Sequence, residues 1–191
     1  MWIDKYKEQL SISGRFPTMA KALELFEKMD FDCMVETGTI RLKDDWGAGM
    51  STLVFGDFAK SHNRRLYTCD IDPKNIELCK EITKDFEKHI AYRVSDSVTF
   101  LKDFDEMIDF LYLDSMDCPE HDDMDSPALM ASQMHQFNEL KAAWDKLRTG
   151  SLILLDDNDF VNGGKTRMTK LELKRLGATE IMGGKQSLWE K

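Results

Sequence analysis

Apolar positions divide the chain into short strands that alternate with amphipathic helices. Runs that are almost continuously apolar, or rich in β-branched and aromatic residues, predict strands at 33–38, 65–72, 90–94, 108–113 and 151–155. Apolar residues at helical spacing predict helices at 18–29, 50–60, 73–89, 98–104, 132–147 and 166–176. The tail after the last helix contains two short strand patterns around Gly183 and Gly184, which is typical of a hairpin.

This order of elements predicts an α/β fold with a doubly wound, mostly parallel seven-stranded sheet and a C-terminal antiparallel hairpin. The strands at 108–113 and 151–155 lack alternation between polar and apolar residues, as expected for strands buried on both faces. We interpret residues 1–191 as a single domain with an N-terminal helical segment at 1–30. Two long loops, 39–49 and 115–131, are predicted at the carboxyl ends of strands, where open sheets bind ligands. We interpret the loop at 115–131 as a candidate lid.

Composition narrows the class of protein. The formal net charge is −9, and no long basic run offsets it, so nucleic acid is an unexpected partner. No apolar run approaches the length of a membrane span and no secretory signal is evident, which predicts a cytoplasmic protein without a membrane partner. The four scattered cysteines are expected to be buried thiols.

Glycines and acids at the ends of the first two strands suggest a nucleotide-like ligand. Gly38 follows the first strand, and Gly47 and Gly49 precede the next helix, where the backbone can approach a polar group closely. Asp70 ends the second strand, where a carboxylate can accept hydrogen bonds from both ribose hydroxyls. Asp72 precedes a proline and is the better candidate for a helix cap.

Five motifs in order strengthen this interpretation. The segments VETG with GAGMST, TCDIDP, VSDS, IDFLYLDS and GSLILLDD resemble the successive motifs of class I S-adenosylmethionine (SAM)-dependent methyltransferases, across roughly residues 31 to 160. The resemblance implies the Rossmann-like methyltransferase fold, SAM as cofactor and a small-molecule methyl acceptor. Residues 40–46 lengthen the glycine loop relative to compact members of the superfamily.

Carried over position by position, the resemblance implies which residues line the cofactor. They are Glu36, Thr37, Gly38, Thr39, Trp46, Gly49, Ser51, Thr52, Asp70, Asp96, Ser97 and Asp114. Because of the longer loop, the contacts of Thr39, Gly47 and Gly49 stay open. Trp46 either packs on the cofactor or closes the loop over the protein interior.

Acidic residues end the fourth and fifth strands. Asp114, Asp156 and Asp157 are expected to converge, and clustered carboxylates repel unless a cation neutralises them. The pattern resembles metal-dependent O-methyltransferases of the catechol type and the macrolide-sugar type, which implies Mg²⁺ held by these three acids. The alternative is a solvated capping loop.

The residue that removes the acceptor proton is less evident. Catechol-type enzymes carry a lysine three residues after the first metal acid, and this chain has Asp117 there, which is closer to the sugar-methylating relatives. Asp114, Asp117 and His121 are the catalytic candidates, although His121 also fits a solvated loop. His135 lies on a helix pattern and is interpreted as structural.

These observations predict a SAM-dependent methyltransferase that acts on a small hydroxylated molecule, with Mg²⁺ assistance. The alternatives are an N-methyltransferase, and a fold-related hydroxylase-type or SAM-binding protein without methyl transfer. A nicotinamide-dependent oxidoreductase is disfavoured because the tight glycine fingerprint is missing. The identity of the acceptor and a homo-oligomeric state stay open.

Overall fold

The computed structural model describes residues 1–29, 31–47, 50–118 and 126–191. A 3₁₀ segment, Trp2–Tyr6, leads into the first helix. The helices are α1 Lys7–Ile12, α2 Phe16–Lys28, α3 Ser51–His62, α4 Pro73–Ile82, α5 Ser97–Asp103, α6 Pro127–Ala143 and α7 Arg167–Arg175. The strands are β1 Cys33–Thr37, β2 Arg65–Asp70, β3 Ile90–Val94, β4 Ile108–Leu113, β5 Leu147–Leu155, β6 Thr179–Gly183 and β7 Ser187–Glu190.

All seven strands form one sheet in the order β3-β2-β1-β4-β5-β7-β6. The first five strands in this order are parallel, and β7 pairs antiparallel with both β5 and β6. The central register places Val35 of β1 between Tyr67 of β2 and Leu111 of β4. The predicted doubly wound sheet with a terminal hairpin is therefore confirmed.

Two apolar layers cover the sheet, one on each face. Met34 of β1 packs in the layer that contains Phe26 of α2 and Phe55 of α3. The next residue, Val35, points the other way, into the layer that contains Leu140 of α6 and Leu173 of α7. Because both faces are covered, β4 is buried at every position, which explains the missing alternation in its sequence.

Several element boundaries differ from the predicted ones. Helix α6 begins at Pro127, because Ser126 Oγ accepts the Leu129 N–H at 3.1 Å and the proline fits the first turn. The predicted lid at 115–131 is therefore too long at its C-terminal end, and 119–125 lies outside the described residues. Helix α4 ends at Ile82, before a 3₁₀ segment, Lys84–His89, so the predicted helix at 73–89 is two elements.

No helix in the described parts of the chain is long and apolar enough to cross a membrane. All four cysteines are buried, and Cys33 and Cys69 lie on β1 and β2 as predicted.

Candidate functional site

A cavity of about 210 Å³ opens where the parallel strands end, and we name it the strand-end cleft. Its walls come from residues that follow β1, β2, β3 and β4, together with one residue of α6. They are Gly38, Cys69, Asp70, Ile71, Ser95, Asp96, Ser97, Ser115, Met116 and His135. Four of the predicted cofactor residues, Gly38, Asp70, Asp96 and Ser97, line this cleft.

Asp70 presents one carboxylate oxygen to the strand-end cleft. Its Oδ1 accepts the Asp72 N–H at 2.8 Å and the Asn75 side-chain amide at 3.1 Å. Its Oδ2 accepts no hydrogen bond from the residues that the structure describes, which leaves that oxygen for a ligand hydroxyl. Asp72 instead caps α4 by accepting the Lys74 N–H at 2.9 Å, as predicted.

Gly38 brings the backbone of β1 against the backbone that follows β4. Its φ is +82°, and a Cβ at this position would lie 2.4 Å from the Asp114 carbonyl oxygen. Any side chain would therefore collide with backbone as well as strain the left-handed conformation. The glycine is therefore required by the packing of these two backbone segments beside the strand-end cleft.

Hydroxyl and imidazole groups form the wall of the cleft near α5 and α6. Ser97 Oγ lies 2.9 Å from His135 Nε2 and 3.2 Å from Ser115 Oγ. Ser115 Oγ donates to the buried Glu139 at 2.6 Å. Asp96 caps α5 by accepting the Thr99 N–H at 2.9 Å. His135, interpreted from sequence as structural, thus lines the cleft. The motifs carry no signal for it because it belongs to α6, which lies between the fourth and fifth motifs.

Glu36 lies beneath the cleft, in the protein interior. Its carboxylate accepts hydrogen bonds from Ser51 Oγ at 2.5 Å, Thr52 Oγ1 at 2.7 Å and Thr68 Oγ1 at 3.0 Å. Complete burial raises the pKa of Glu36 to about 7, against the lowering effect of these hydrogen bonds. The carboxylate therefore fixes the start of α3 to β1 and β2.

The remaining predicted cofactor residues surround this network. Thr37 and Thr39 are buried; Thr37 Oγ1 accepts the Asp114 N–H at 3.3 Å, and Thr39 Oγ1 lies 3.1 Å from Thr52 Oγ1. Trp46 packs its ring 5.9 Å from that of Tyr6 and also lines a small cavity that includes Ser51 and Asp114. Gly49 lies outside the described residues.

A second cavity of about 380 Å³ lies beside the strand-end cleft, and we name it the charged cleft. Its walls come from α2, the loop after β1, the ends of β4 and β5, and the turn between β6 and β7. They are Arg15, Arg41, Gly47, Asp114, Asp117, Cys118, Asp157, Phe160 and Lys185.

The ends of β4 and β5 do bring Asp114, Asp156 and Asp157 together, but protein cations already pair with them. Lys165 Nζ lies 2.6 Å from Asp114 Oδ1 and 3.1 Å from Asp157 Oδ2. Arg15 Nε lies 2.8 Å from Asp156 Oδ2, and Lys185 Nζ lies 3.1 Å from Asp157 Oδ1.

The predicted Mg²⁺ site does not fit this donor set. A divalent ion between these carboxylates would lie next to the Lys165 ammonium. Two positive charges in direct contact repel each other strongly. Among the described residues, no group of three or more histidines, cysteines or acids is placed to hold a metal. The alternative of a solvated capping loop does not fit Asp156, which is fully buried, whereas the Asp159 side chain is 51% exposed.

Two of the acids differ in their proton affinity. Burial and the nearby charge of Asp156 raise the pKa of Asp114 to about 8. Burial also acts to raise the pKa of Asp156, but the Arg15 guanidinium outweighs it and holds that pKa well below its usual range. Tyr112 Oη donates to Asp156 and lies 3.1 Å from Asp114 Oδ2, so the two carboxylates titrate as neighbours.

Asp117, the second catalytic candidate, lines the rim of the charged cleft. Its side chain is 73% exposed and lies 2.7 Å from the Arg41 guanidinium. The hydrogen bond from Arg41 lowers the pKa of Asp117, which makes this carboxylate a weaker base than Asp114. His121, the third candidate, lies outside the described residues.

Sequence reasoning did not identify the cations of the charged cleft. Arg15 precedes the first motif and Lys165 follows the last one, so neither belongs to a motif that resembles a known pattern. The one signal for Lys165 is its place in the GGKT segment directly after the acidic end of β5.

Comparisons with known proteins agree with this geometry. A family model described as a methyltransferase domain matches residues 45–158. No curated protein matches the chain.

Solved structures share the fold at low identity. The chain is similar to NSun6 from Pyrococcus horikoshii with SFG (13% identity, TM-score 0.64, 88% of this chain and 49% of that chain). It is also similar to the SAH-bound methyltransferase PaMTH1 from Podospora anserina (14%, 0.62, 98% and 87%) and to the O-methyltransferase NovP (12%, 0.61, 93% and 79%). This chain thus spans about half of the Pyrococcus protein, and all three similarities concern the fold.

Proposed function

This chain belongs to the methyltransferase-domain family, and on that premise we propose that it methylates a hydroxyl oxygen of a small polar molecule in the charged cleft. SAM, whose analogues and product occupy similar structures, is the methyl donor. The neighbouring O-methyltransferase NovP agrees with oxygen as the acceptor atom.

The observation that carries this proposal is that the two clefts meet at the end of β4. Asp114 lines the charged cleft, and the next residues, Ser115 and Met116, line the strand-end cleft. A donor in one cleft and an acceptor in the other would therefore approach each other across Asp114. The volume of about 380 Å³ suits a small molecule rather than a polymer.

The residues of the strand-end cleft fit SAM. Gly38 lines the cleft with backbone alone, the open Asp70 oxygen suits a ribose hydroxyl, and Ile71 offers an exposed apolar surface to a base. Bound SAM would supply an electrophilic methyl group on a sulfonium sulfur.

Asp114 is the residue placed to take the acceptor proton. As the acceptor oxygen bonds to the methyl carbon, its proton would pass to a carboxylate oxygen of Asp114, and the bond between that carbon and the sulfonium sulfur would break to leave S-adenosylhomocysteine. A pKa of about 8 puts this carboxylate near the optimum for a general base at neutral pH. Lys165 Nζ donates to Asp114 Oδ1, and Tyr112 Oη lies within hydrogen-bond distance of Asp114 Oδ2. These two contacts fix the orientation of the Asp114 carboxylate.

The cofactor part of the proposal is tested by calorimetric titration of S-adenosylhomocysteine. We expect Asp70→Asn to weaken binding by about tenfold or more, because a charged acceptor for the ribose hydroxyls is lost. Asp72→Asn is the matched control, since Asp72 caps the same helix without lining the cleft. Equal affinity in wild type and Asp70→Asn would remove Asp70 from the cofactor site.

The transfer itself is tested by methyl incorporation from labelled SAM into a panel of hydroxylated small molecules, with amines and RNA included. We expect turnover of a hydroxylated molecule, lost in Asp114→Asn while S-adenosylhomocysteine still binds. With Asp114 as the base, kcat/KM rises about tenfold per pH unit below pH 8 and levels off above it. Turnover confined to amines or RNA would contradict the proposal.

A further inference from the structure

Lys165 is a buried lysine in the short 3₁₀ segment Val161–Thr166 that follows β5. Its side chain is 2% exposed. The ammonium lies 2.6 Å from Asp114 Oδ1, 3.1 Å from Asp157 Oδ2 and 3.0 Å from the Met116 carbonyl oxygen. The ammonium therefore donates hydrogen bonds to Asp114 and to the Met116 carbonyl and forms an ion pair with Asp157.

The backbone conformation around Lys165 directs its ammonium toward the carboxylates. Gly164 has a φ of +52°, and a Cβ there would lie 2.0 Å from the Asp157 carbonyl oxygen. Asp157 itself has a φ of +55°, which is uncommon for a residue with a side chain. Two left-handed positions thus press the 3₁₀ segment against the end of β5, and such strain persists only where the surroundings enforce it.

The other carboxylate of the group does not depend on Lys165 alone. Asp156 accepts from Arg15 Nε at 2.8 Å and from the Gln186 amide at 3.2 Å, and it also accepts from Tyr112. The three acids that were expected to bind a metal are therefore paired with the buried Arg15 and Lys165, and Asp157 also pairs with the partly exposed Lys185. This pairing neutralises most of their charge within the protein itself.

We propose that Lys165 is the resident cation of the Asp114–Asp157 pair and excludes divalent metal ions from the acceptor site. Its ammonium takes the position that a metal would need, and it holds Asp114 in place as a positioning residue. The link to the acceptor rests on the proposed function, whereas the exclusion of metal does not.

Removal of the ammonium leaves a set of oxygens that a hard cation prefers. Asp114, Asp157 and the Met116 carbonyl would lose the ammonium that lies between them, while Lys185 would still pair with the other oxygen of Asp157. Carboxylate and carbonyl oxygens are the usual ligands of Mg²⁺, Ca²⁺ and Mn²⁺. We therefore expect the single substitution Lys165→Ala to create a metal site.

The experiment is a titration of the full chain with MnCl₂, with free Mn²⁺ followed by electron paramagnetic resonance. We expect Lys165→Ala to bind one Mn²⁺ at least about tenfold more tightly than wild type. Lys165→Arg, which keeps the charge, and Lys170→Ala, which removes a neighbouring lysine of α7, are expected to behave like wild type. The double variant Lys165→Ala/Asp114→Asn is expected to lose the gain.

Wild type that binds Mn²⁺ as tightly as Lys165→Ala would overturn the proposal, as would a folded Lys165→Ala without any gain. Where Lys165→Ala is unfolded without metal, the proposal requires Mn²⁺ to restore near-ultraviolet circular dichroism, and failure to do so overturns it. The titration contains no SAM and no acceptor, so its outcome is independent of the methylation assay. A chelator is expected to leave the wild-type methylation rate unchanged.

Discussion

The two clefts are built by different means. The strand-end cleft is formed mostly by residues within a few positions of strand ends, and its polar side chains are three serine hydroxyls, the carboxylates of Asp70 and Asp96, and the His135 imidazole. The charged cleft is formed by ion pairs between distant parts of the chain, such as Arg15 with Asp156 and Arg41 with Asp117. The first cleft can therefore be described by local motifs, and the second depends on the completed fold.

The largest expected effect concerns the buried ions of the charged cleft. Arg15→Met leaves the fully buried Asp156 without its guanidinium, and loss of one partner of a buried pair costs about 3–5 kcal/mol. The free energy of unfolding in urea measures this cost.

Arg41→Met is the matched control in the same cleft. The Arg41 and Asp117 side chains are 41% and 73% exposed, so we expect a change of only about 0–1 kcal/mol. Similar losses in the two variants would show that burial does not separate these ion pairs.

The next effect concerns the carboxylate beneath the strand-end cleft. The pKa of Glu36 is about 7 in the folded protein against an ordinary value of 4.5. Between these two pH values, Glu36 is protonated in the folded protein and ionised in the unfolded chain. The associated stability is fully present below pH 4.5 and is lost as pH rises through 7, by about 3 kcal/mol in total.

Glu36→Gln removes this titration, so urea unfolding at several pH values should show a smaller decline for the variant than for wild type. Glu106→Gln is the control, because a hydrogen bond from Tyr67 lowers the pKa of Glu106 and keeps it ionised over this range. A decline of equal size in wild type and Glu36→Gln would mean that Glu36 is already ionised in the folded protein.

The last effect concerns ligand affinity, measured beside the loss of stability that the collision and the left-handed φ also cause. Gly38→Ala forces a Cβ to within 2.4 Å of a backbone oxygen in the strand-end cleft, and we expect S-adenosylhomocysteine to bind at least about tenfold more weakly. Gly177→Ala has nearly the same φ, +83°, but no atom within 4 Å of the added Cβ. It is expected to cost about 1 kcal/mol of stability and to leave affinity unchanged. Unchanged affinity in both variants would place the cofactor elsewhere.

The same contrast explains how far the sequence could predict this molecule. The strands at 90–94 and 108–113 have the predicted bounds, although only 108–113 is buried at every position and 90–94 is a partly exposed edge strand. Asp72 caps α4 as predicted, because its carboxylate acts on a backbone N–H only two residues away. Local sequence patterns are therefore sufficient to predict these strand bounds and this helix cap.

The three carboxylates of the metal prediction lie together, and protein cations pair with them. The motif correctly brought Asp114, Asp156 and Asp157 to one edge of the sheet. Arg15 pairs with Asp156 across 141 residues of the sequence, and Lys165 pairs with Asp114 across 51 residues. Nothing in the spacing of a sequence specifies such a pairing, and the same holds for His135 across from Ser97.

The contacts around Asp156 have a consequence for the order of folding. Arg15 lies 141 residues before Asp156, and Thr18 donates to Gln186 across 168 residues. Contacts of such long range close late, because the entropy of loop closure must be overcome first. We expect the sheet order β2-β1-β4 to assemble while the charge of Asp156 is still exposed to water. Desolvation of that carboxylate would then be the step that commits the chain to its native state.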